Sequence, residues 1–262
     1  MKFFLKKILQ LILFVFLTVI TQIGGVVYLI SLLISKRWKF NFSIIFFILY
    51  FLATFLLIPY LAPIFGREKI KNTKGILPTN YLTIILNRNY VRPELNEILL
   101  QTEKDLKGSN IKIHYLDANF PFLNNFPLLP HLSHNDGKKI DISLIYETKN
   151  GIITNKQKSI SGYGAFENPK SNEYNQIKKC LSNGYFQYDY PKYITFGKIN
   201  MNLVFSEKGT KRLINSMLKN NNVGKIFIEP HLKKRMNLSN SKIRYHGCRA
   251  VRHDDHIHLQ LR

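Results

Sequence analysis

Two long segments without a charged residue lie at the start of the chain and constrain its fold more than any other feature. Residues 8–35 and residues 40–66 consist mainly of Ile, Leu, Phe and Val and contain no Asp, Glu, Lys or Arg. Each segment is long enough to cross a hydrocarbon core of about 30 Å as a helix. The short basic loop at residues 36–39 therefore predicts a two-helix transmembrane hairpin within residues 1–66.

A signal peptide is the competing interpretation of the first apolar segment, because Lys2, Lys6 and Lys7 precede it. The apolar run is longer than that of a signal peptide, and no small-x-small cleavage site follows it. A second apolar segment also comes directly after it. We therefore expect two retained membrane anchors.

Five of the eight histidines lie in two short segments of the remaining chain, residues 131–141 and 252–259, with acidic residues between them. This composition is typical of a metal site. The alternation over residues 257–261 predicts a strand, and side chains two positions apart in a strand point to the same face. We therefore expect His256 and His258 to project together.

The earlier of these two segments can supply further metal ligands. His134 and Asp141 are too far apart for one helical turn, but they can meet if the Asn-Asp-Gly sequence at residues 135–137 forms a turn. Asp-Gly is a strong turn signal, and a strand over residues 139–146 would then follow. One Asp and two His give zinc three protein ligands and leave the fourth position for water, which is the pattern of a catalytic site.

The two segments together resemble a known superfamily of zinc peptidases. The first resembles the Ser-x-His-x-x-Gly-x-x-x-Asp type of motif found in lysostaphin, the D-Ala-D-Ala carboxypeptidases and the hedgehog signalling domain, and the second resembles that superfamily's His-x-His. The closer resemblance, over roughly residues 92–262, is to the penicillin-insensitive murein endopeptidases, which cut peptide cross-links in bacterial peptidoglycan. It rests on one pattern: His131-x-x-His134 with Asp141, then His253-x-x-His256-x-His258.

The resemblance implies roles only for the residues that match. The residues that match the zinc ligands are His134, Asp141 and His258. His256 matches the first His of His-x-His, which in the superfamily lies beside the metal-bound water. His131 and His253 match additional active-site histidines, and His131 is also a candidate ligand of a second metal.

The reaction implied by the resemblance is metal-assisted hydrolysis of an amide. Zinc lowers the pKa of its bound water and polarises the scissile carbonyl, and a neighbouring base carries a proton to the leaving amine. We assign His256 as that base, with His253 second, because an unperturbed His titrates near neutral pH. Asp254 or Asp255 is expected to fix the tautomer of His256.

Residues 91–262 are expected to form the zinc peptidase domain, after a basic linker at residues 67–90. Helices are predicted at residues 93–107 and 206–219, without the regular alternation of strand and helix that marks a parallel sheet. The mixture predicts an α+β fold with an antiparallel sheet and flanking helices, and the resemblance implies a hedgehog/DD-peptidase-like arrangement. The predicted strands are 81–86, 111–116, 139–146, 226–229 and 257–261.

The chain is strongly basic, with a formal net charge of +22. Such an excess suits phospholipid headgroups or the carboxylates of peptidoglycan. The cations are scattered and no nucleic-acid motif is present, so we expect no nucleic-acid partner. The two cysteines, Cys180 and Cys248, can pair in an oxidising compartment or remain free buried thiols, and the sequence leaves both open.

The flanking charges and the resemblance disagree about orientation. Seven cations flank the outer ends of the apolar pair, against three in its loop. The positive-inside rule would then place both outer ends in the cytoplasm, where there is no cross-linked peptidoglycan. Because the short loop has the densest charge, we follow the resemblance and expect an inner-membrane protein whose domain faces the periplasm.

The leading hypothesis is therefore a membrane-anchored zinc metallopeptidase that hydrolyses peptidoglycan cross-links. A D,D- or L,D-carboxypeptidase that trims stem peptides is a close alternative. A non-catalytic zinc-dependent module that binds peptidoglycan is the alternative from another class. A protein that binds anionic membranes or nucleic acid through charge alone would instead ignore zinc chelators. The oligomeric state does not follow from the sequence.

Overall fold

The computed structural model describes residues 2–262, which divide into two compact units. The first unit runs up to Ile70 and adds Leu82–Pro93 and Asp117–Gly137. The second unit comprises Lys71–Tyr81, Glu94–Leu116 and Lys138–Arg262. The mixture of helices and strands confirms the predicted α+β class.

The α-helices of the described residues are α1 (Lys2–Thr21), α2 (Gly24–Trp38), α3 (Phe42–Leu52), α4 (Ile58–Leu61), α5 (Leu82–Ile85), α6 (Pro93–Asp105), α7 (Gln176–Ser182), α8 (Glu207–Leu218) and α9 (Pro230–Arg235). The strands are β1 (Glu68–Lys69), β2 (Ile76–Pro78), β3 (Tyr90–Val91), β4 (Ile113–Tyr115), β5 (Lys139–Ser143), β6 (Tyr146–Glu147), β7 (Ile153–Thr154), β8 (Val204–Phe205), β9 (Val223–Phe227), β10 (Ile243–Arg244) and β11 (His256–Leu261). Helices were predicted where α6 and α8 lie, and strands where β4, β5, β9 and β11 lie. The strand predicted at 81–86 was wrong, because this segment forms the short helix α5.

The first unit contains two helices that are long and apolar enough to cross a membrane, Phe3–Thr21 and Phe42–Phe65. The second of these is a continuous helical run. It begins as α3, passes through a π-helical turn at Ala53–Leu57 into α4, and ends in a 3-10 turn at Ala62–Phe65. We call this run the long helix.

Gln22 divides the first apolar segment into two helices. Its φ of 67° ends α1, and α2 then folds back on α1. A Cβ added to Gly24 would lie 2.9 Å from the carbonyl oxygen of Leu17, and one added to Gly25 would lie 2.8 Å from that of Phe14. Glycine is therefore needed at both positions for the two backbones to approach this closely.

The chain reverses a second time after α2. Lys39 has a φ of 55°, and Asn41 caps the next helix by accepting hydrogen bonds from the amides of Ser43 and Ile44. The Tyr28 ring of α2 then meets Phe42 edge-on, with ring centroids 5.5 Å apart. Residues 8–35, which were expected to form a single span, are therefore divided between α1 and α2. The transmembrane hairpin stays a prediction.

Other parts of the first unit pack against the C-terminal end of the long helix. Ile58, Ala62 and Tyr90 form a buried cluster, and Ile23 and Phe122 pack against it.

Arg67 holds the loop of residues 124–135 in place. Its guanidinium donates to the side-chain oxygen of Asn124 at 2.6 Å and to the carbonyl oxygen of Asn135 at 3.2 Å. The loop that carries His131 and His134 is therefore tied to Arg67, the second residue after the long helix.

The second unit is built on a six-stranded sheet with the order β10-β9-β11-β5-β4-β2. The four central strands pair antiparallel, as predicted, whereas the two edge pairs, β10-β9 and β2-β4, are parallel. Two amphipathic helices, α6 and α8, bury their apolar faces. A three-stranded sheet with the order β7-β6-β8 completes the unit.

The two cysteines form a disulfide, with 5.3 Å between the Cα atoms of Cys180 and Cys248. The bridge joins α7 to the segment just before β11, and Cys180 is fully buried beside Ile177 and Tyr188. The sequence had left this pairing open.

Candidate metal centre

The register of two neighbouring strands brings the two sequence motifs together. β5 and β11 pair antiparallel with Asp141 directly opposite His258. The Nδ1 atom of His258 lies 2.9 Å from the Oδ1 atom of Asp141, and both side chains are buried. A one-residue slip of the register would turn one of these side chains to the other face.

His256 lies on the same face of β11 and is oriented by its neighbour. Its Nδ1 atom is 2.6 Å from Oδ1 of Asp255, and its Nε2 atom is 3.7 Å from Oδ1 of Asp141. The second oxygen of Asp255 accepts a hydrogen bond from the amide of Gly164 at 2.5 Å. The Asp255 carboxylate is therefore fixed through both oxygens.

Two opposing effects act on the protonation of His256. Burial lowers its pKa, but the carboxylates of Asp141 and Asp255 outweigh this effect and raise the pKa to about 9. The pair of His256 and Asp255 is thus well suited to hold a proton.

Tyr163 enters the site from a loop. Its hydroxyl donates to Oδ2 of Asp141 at 2.9 Å, and its ring meets His256 edge-on with centroids 5.1 Å apart. The flanking residues Gly162 and Gly164 have φ values of 88° and 75°. A Cβ on Gly164 would lie only 2.2 Å from the carbonyl oxygen of Pro191, so this tight loop requires glycine.

Two further histidines stand beside the strand residues. The His253 ring lies 4.9 Å from that of His256 and 5.7 Å from that of His258, and the His246 ring lies 5.5 Å from that of His253. The amide of His253 donates to the Glu229 carboxylate at 3.0 Å. Burial lowers the pKa of His253 well below its usual range, and the nearby His256 and His258 lower it further.

A buried ion pair supports the loop that leads into β11. The guanidinium of Arg252 donates to both oxygens of Asp254 at 2.7 and 2.5 Å and to Asp189 at 3.1 Å. It also lies 3.8 Å from the centre of the Phe166 ring. Both members of the Arg252–Asp254 pair are buried, so the backbone on either side of His253 is held by charge as well as by packing.

His134 is oriented within the first unit. Its Nδ1 atom lies 2.7 Å from the carbonyl oxygen of Ala118. Because a carbonyl can only accept, the ring nitrogen donates, which leaves Nε2 as the atom that can bind a metal. Metal-binding histidines characteristically donate their other ring nitrogen in this way.

His131 lies beside His134, with ring centroids 5.5 Å apart. Its Nε2 atom is 3.9 Å from the Asp117 carboxylate, which also pairs with Arg88 at 3.0 Å.

A buried group of three side chains can bind a metal ion. His131, His134 and Asp141 each offer a ligand atom, and these atoms all lie within 4.8 Å of one another. Two imidazoles and a carboxylate are a donor set that suits zinc. The fixed Nδ1 of His134 supports this fit.

The predicted site residues of the second unit gather in one place. Asp141 and His258 form a direct contact, His256 lies beside Asp141, and His253 adjoins His256 and His258. His131, His134 and Asp141 form the group that can bind a metal ion. The division of these residues into zinc ligands and catalytic groups stays a prediction.

Sequence reasoning missed or left open three contributors. Tyr163 was one of them, although its position between two glycines marks a tight loop. The choice between Asp254 and Asp255 as the partner of His256 needed the structure, which selects Asp255. His246 gave no signal, because no second site residue lies near it in the sequence.

No protein-family model matches the sequence, and no curated protein is similar enough to match it.

Proposed function

We propose that the protein is a membrane-anchored zinc metallopeptidase of the murein endopeptidase type, which hydrolyses peptide cross-links of bacterial peptidoglycan. One observation carries the proposal. Asp141 and His258, which come from motifs 117 residues apart, lie opposite each other on β5 and β11 with His256 beside them. Their adjacency also supports a hedgehog/DD-peptidase-like arrangement for the second unit.

In this proposal His134, Asp141 and His258 would hold the zinc ion. When bound there, the ion would lower the pKa of a water molecule and polarise the carbonyl of the scissile amide. His131, which lies beside His134, is the additional active-site residue.

The chain's own groups handle the proton. Asp255 accepts from Nδ1 of His256, which fixes the tautomer and turns Nε2 toward Asp141. With its Nε2 deprotonated, His256 would take the proton of the attacking water and pass it to the leaving amine. A cation bound beside it would lower the pKa that the carboxylates raise, which favours the neutral ring. The low pKa of His253 keeps that ring neutral, so it can accept a hydrogen bond beside His256.

Tyr163 is a positioning residue in this scheme. Its hydroxyl holds one oxygen of Asp141, so the other oxygen keeps a fixed direction. Its ring also packs against His256 and limits the movement of the imidazole.

A pocket of about 380 Å³ supports an anionic peptide substrate, because its wall holds four cationic side chains and one carboxylate, that of Asp189. Gly164, whose amide binds Asp255, lies in its wall, and so does Arg252. Lys158, Lys192 and Lys198 also line it. Carboxylates of peptidoglycan stems are the kind of group that such a pocket attracts.

The arrangement of the first unit supports a periplasmic location. Because the chain reverses at Gln22 and again at Lys39, the start of α1 and the loop after α2 lie at one end of the helices. Gln22 lies at the other end, where its side-chain oxygen accepts a hydrogen bond from Phe122, whose ring lies 5.0 Å from that of Phe65.

This arrangement removes the conflict between the flanking charges and the function. The cations of the N-terminus and of the 36–39 loop share one end, which the positive-inside rule assigns to the cytoplasm. The chain after Phe65 then leaves the membrane on the periplasmic side. The disulfide between Cys180 and Cys248 agrees, since such bridges persist in oxidising compartments.

The test is digestion of purified peptidoglycan by the full-length protein in detergent, with and without a zinc chelator, read by mass spectrometry. We expect chelator-sensitive conversion of cross-linked dimers to monomers. Shortened stems without loss of cross-links would replace this proposal with the carboxypeptidase. Zinc binding without any new product, from protein with a native circular dichroism spectrum, would replace it with the non-catalytic module.

A further inference from the structure

An apolar groove of about 870 Å³ runs along the helices of the first unit. Val26 and Ile30 of α2 form one wall, and Leu49, Leu52 and Leu56 of the long helix form the other. The Phe122 ring lies at one end of the groove, against Phe65. Its volume is in the range of pockets that hold small-molecule ligands, roughly 300–1,000 Å³.

The long helix is distorted where it borders the groove. Its π-helical turn spans Ala53–Leu57, and Ala53, Leu56 and Leu57 all line the groove. The small side chain of Ala53 leaves space that a larger residue would fill. Isolated π-helical turns occur frequently at functional sites.

A buried amide points to a polar group in the occupant of the groove. Gln22 lines the groove and is only 7% exposed. Its Oε1 atom accepts from the amide of Phe122 at 2.9 Å, whereas its Nε2 atom has no hydrogen-bond partner within residues 2–262.

A second polar atom at the same end lacks a partner within the described chain. The hydroxyl of Tyr90 is buried and unpaired, and the Tyr90 ring packs with Ile58 and Ala62, against which Ile23 and Phe122 lie. The groove is therefore aliphatic along its length and has unsatisfied hydrogen-bonding groups close to one end.

We propose that this groove binds one phospholipid of the bilayer. An acyl chain lies between α2 and the long helix, and an ester or phosphate oxygen accepts the Nε2 hydrogen of Gln22. The long helix, which forms one wall, is long and apolar enough to cross a membrane, so a bilayer lipid is the natural neighbour of the groove.

The test is native mass spectrometry of the full-length protein purified in a mild detergent, with bound lipid counted before and after extended washing. Val26→Trp fills the groove, and Leu29→Trp is the matched control on the same helix. Val26 is 56% exposed and Leu29 46% exposed, but only Val26 lines the groove. We expect one phospholipid per chain on the wild type and on Leu29→Trp, and at least a ten-fold lower occupancy on Val26→Trp.

Gln22→Glu tests the polar contact without removing the acceptor for Phe122. It replaces the Nε2 donor by an oxygen, and we expect phospholipid occupancy to fall about ten-fold while the protein stays folded. Equal retention by Val26→Trp and Leu29→Trp would overturn the proposal. So would a wild-type adduct with the mass of an isoprenoid lipid, or a protein dimer that carries no lipid.

Discussion

The site in the second unit has a strand side and a loop side, and the two are held by different forces. Asp141, His256 and His258 lie on β5 and β11, where the backbone ladder determines which side chains meet. Tyr163 and Asp255 come from loops, where hydrogen bonds to Asp141, His256 and Gly164 hold them. We infer that metal binding depends chiefly on the strand side and that orientation of the reacting groups depends on the loop side.

The largest effect is expected on the strand side. Replacing His258 by Ala removes a predicted zinc ligand, so both bound zinc and peptidoglycan hydrolysis should be lost. Zinc is measured by elemental analysis of the purified protein, and hydrolysis by mass spectrometry of the products. Gln260→Ala, two residues farther along β11, is the matched control and should retain both. A His258→Ala protein that keeps stoichiometric zinc would refute the ligand assignment.

The next effect separates orientation from metal binding. Asp255→Asn keeps the size of the side chain but removes the charge that fixes His256. We expect zinc to stay bound and kcat to fall by about 10²-fold, as for loss of a general acid–base group. His256→Ala should give a similar fall. Wild-type turnover of His256→Ala would show that His256 is not the base, and wild-type turnover of Asp255→Asn would show that the base does not need the Asp255 charge.

A smaller effect is expected at the other loop residue. Tyr163→Phe removes one hydrogen bond to Asp141 and leaves the ring that packs on His256. Loss of such a partner of a metal ligand typically weakens metal affinity by about 10–100-fold. Competition with a fluorescent zinc chelator measures this affinity. An unchanged affinity would mean that Asp141 is positioned by β5 alone.

Removing the disulfide shows how much a covalent link contributes to the stability of the fold, and whether zinc binding needs it. Replacing Cys180 and Cys248 together by Ser opens a connection across 68 residues, and we expect a loss of about 3–4 kcal/mol in the free energy of unfolding. Denaturant titration of the oxidised wild type and the double variant measures it. Because none of the proposed zinc ligands lies on the loop side, the folded variant should keep its zinc. Loss of zinc from folded protein would contradict the division into two sides.

The smallest expected effect is a pH dependence in the loop that precedes α7. The Arg235 guanidinium binds both oxygens of Glu173, at 2.9 and 2.6 Å, and holds the pKa of that carboxyl at about 2, below the usual 4.5. The native protein therefore binds fewer protons than the unfolded chain between these values. We expect about 1–2 kcal/mol of stability, fully present above pH 5, to be lost as the pH falls toward 2.

Arg235→Met is the comparison for that pH dependence. Thermal unfolding of the wild type and the variant between pH 2 and pH 7 should differ most near neutral pH and converge in acid. Parallel curves across this range would mean that the ion pair contributes nothing.

Local patterns in the sequence were enough to predict much of the strand side. Alternation predicted β11, the Asn-Asp-Gly turn predicted the start of β5, and the spacing of His256 and His258 placed both on one face. The strand order of the six-stranded sheet could not be predicted in this way. Pairing between β5 and β11 is a contact between distant segments, and no local pattern encodes it.

The loop side and the membrane segment were harder to predict for different physical reasons. Tyr163 acts through a conformation that its flanking glycines permit, and a Gly-Tyr-Gly sequence by itself indicates only a turn. The reversal at Gln22 lies inside an uncharged apolar run, where hydropathy does not register a change of direction. Gly24 and Gly25 were the available signal, and they allow either a close crossing or a flexible span.

The insertion of β11 between β9 and β5 has a consequence for biosynthesis. During translation, β5 emerges more than a hundred residues before its partner, so Asp141 has no His258 beside it until the whole intervening chain has been made. A partly made chain has only half of the site. In the proposed role, the capacity to cut the cell wall arises only after translocation has carried β11 to the side where the wall lies.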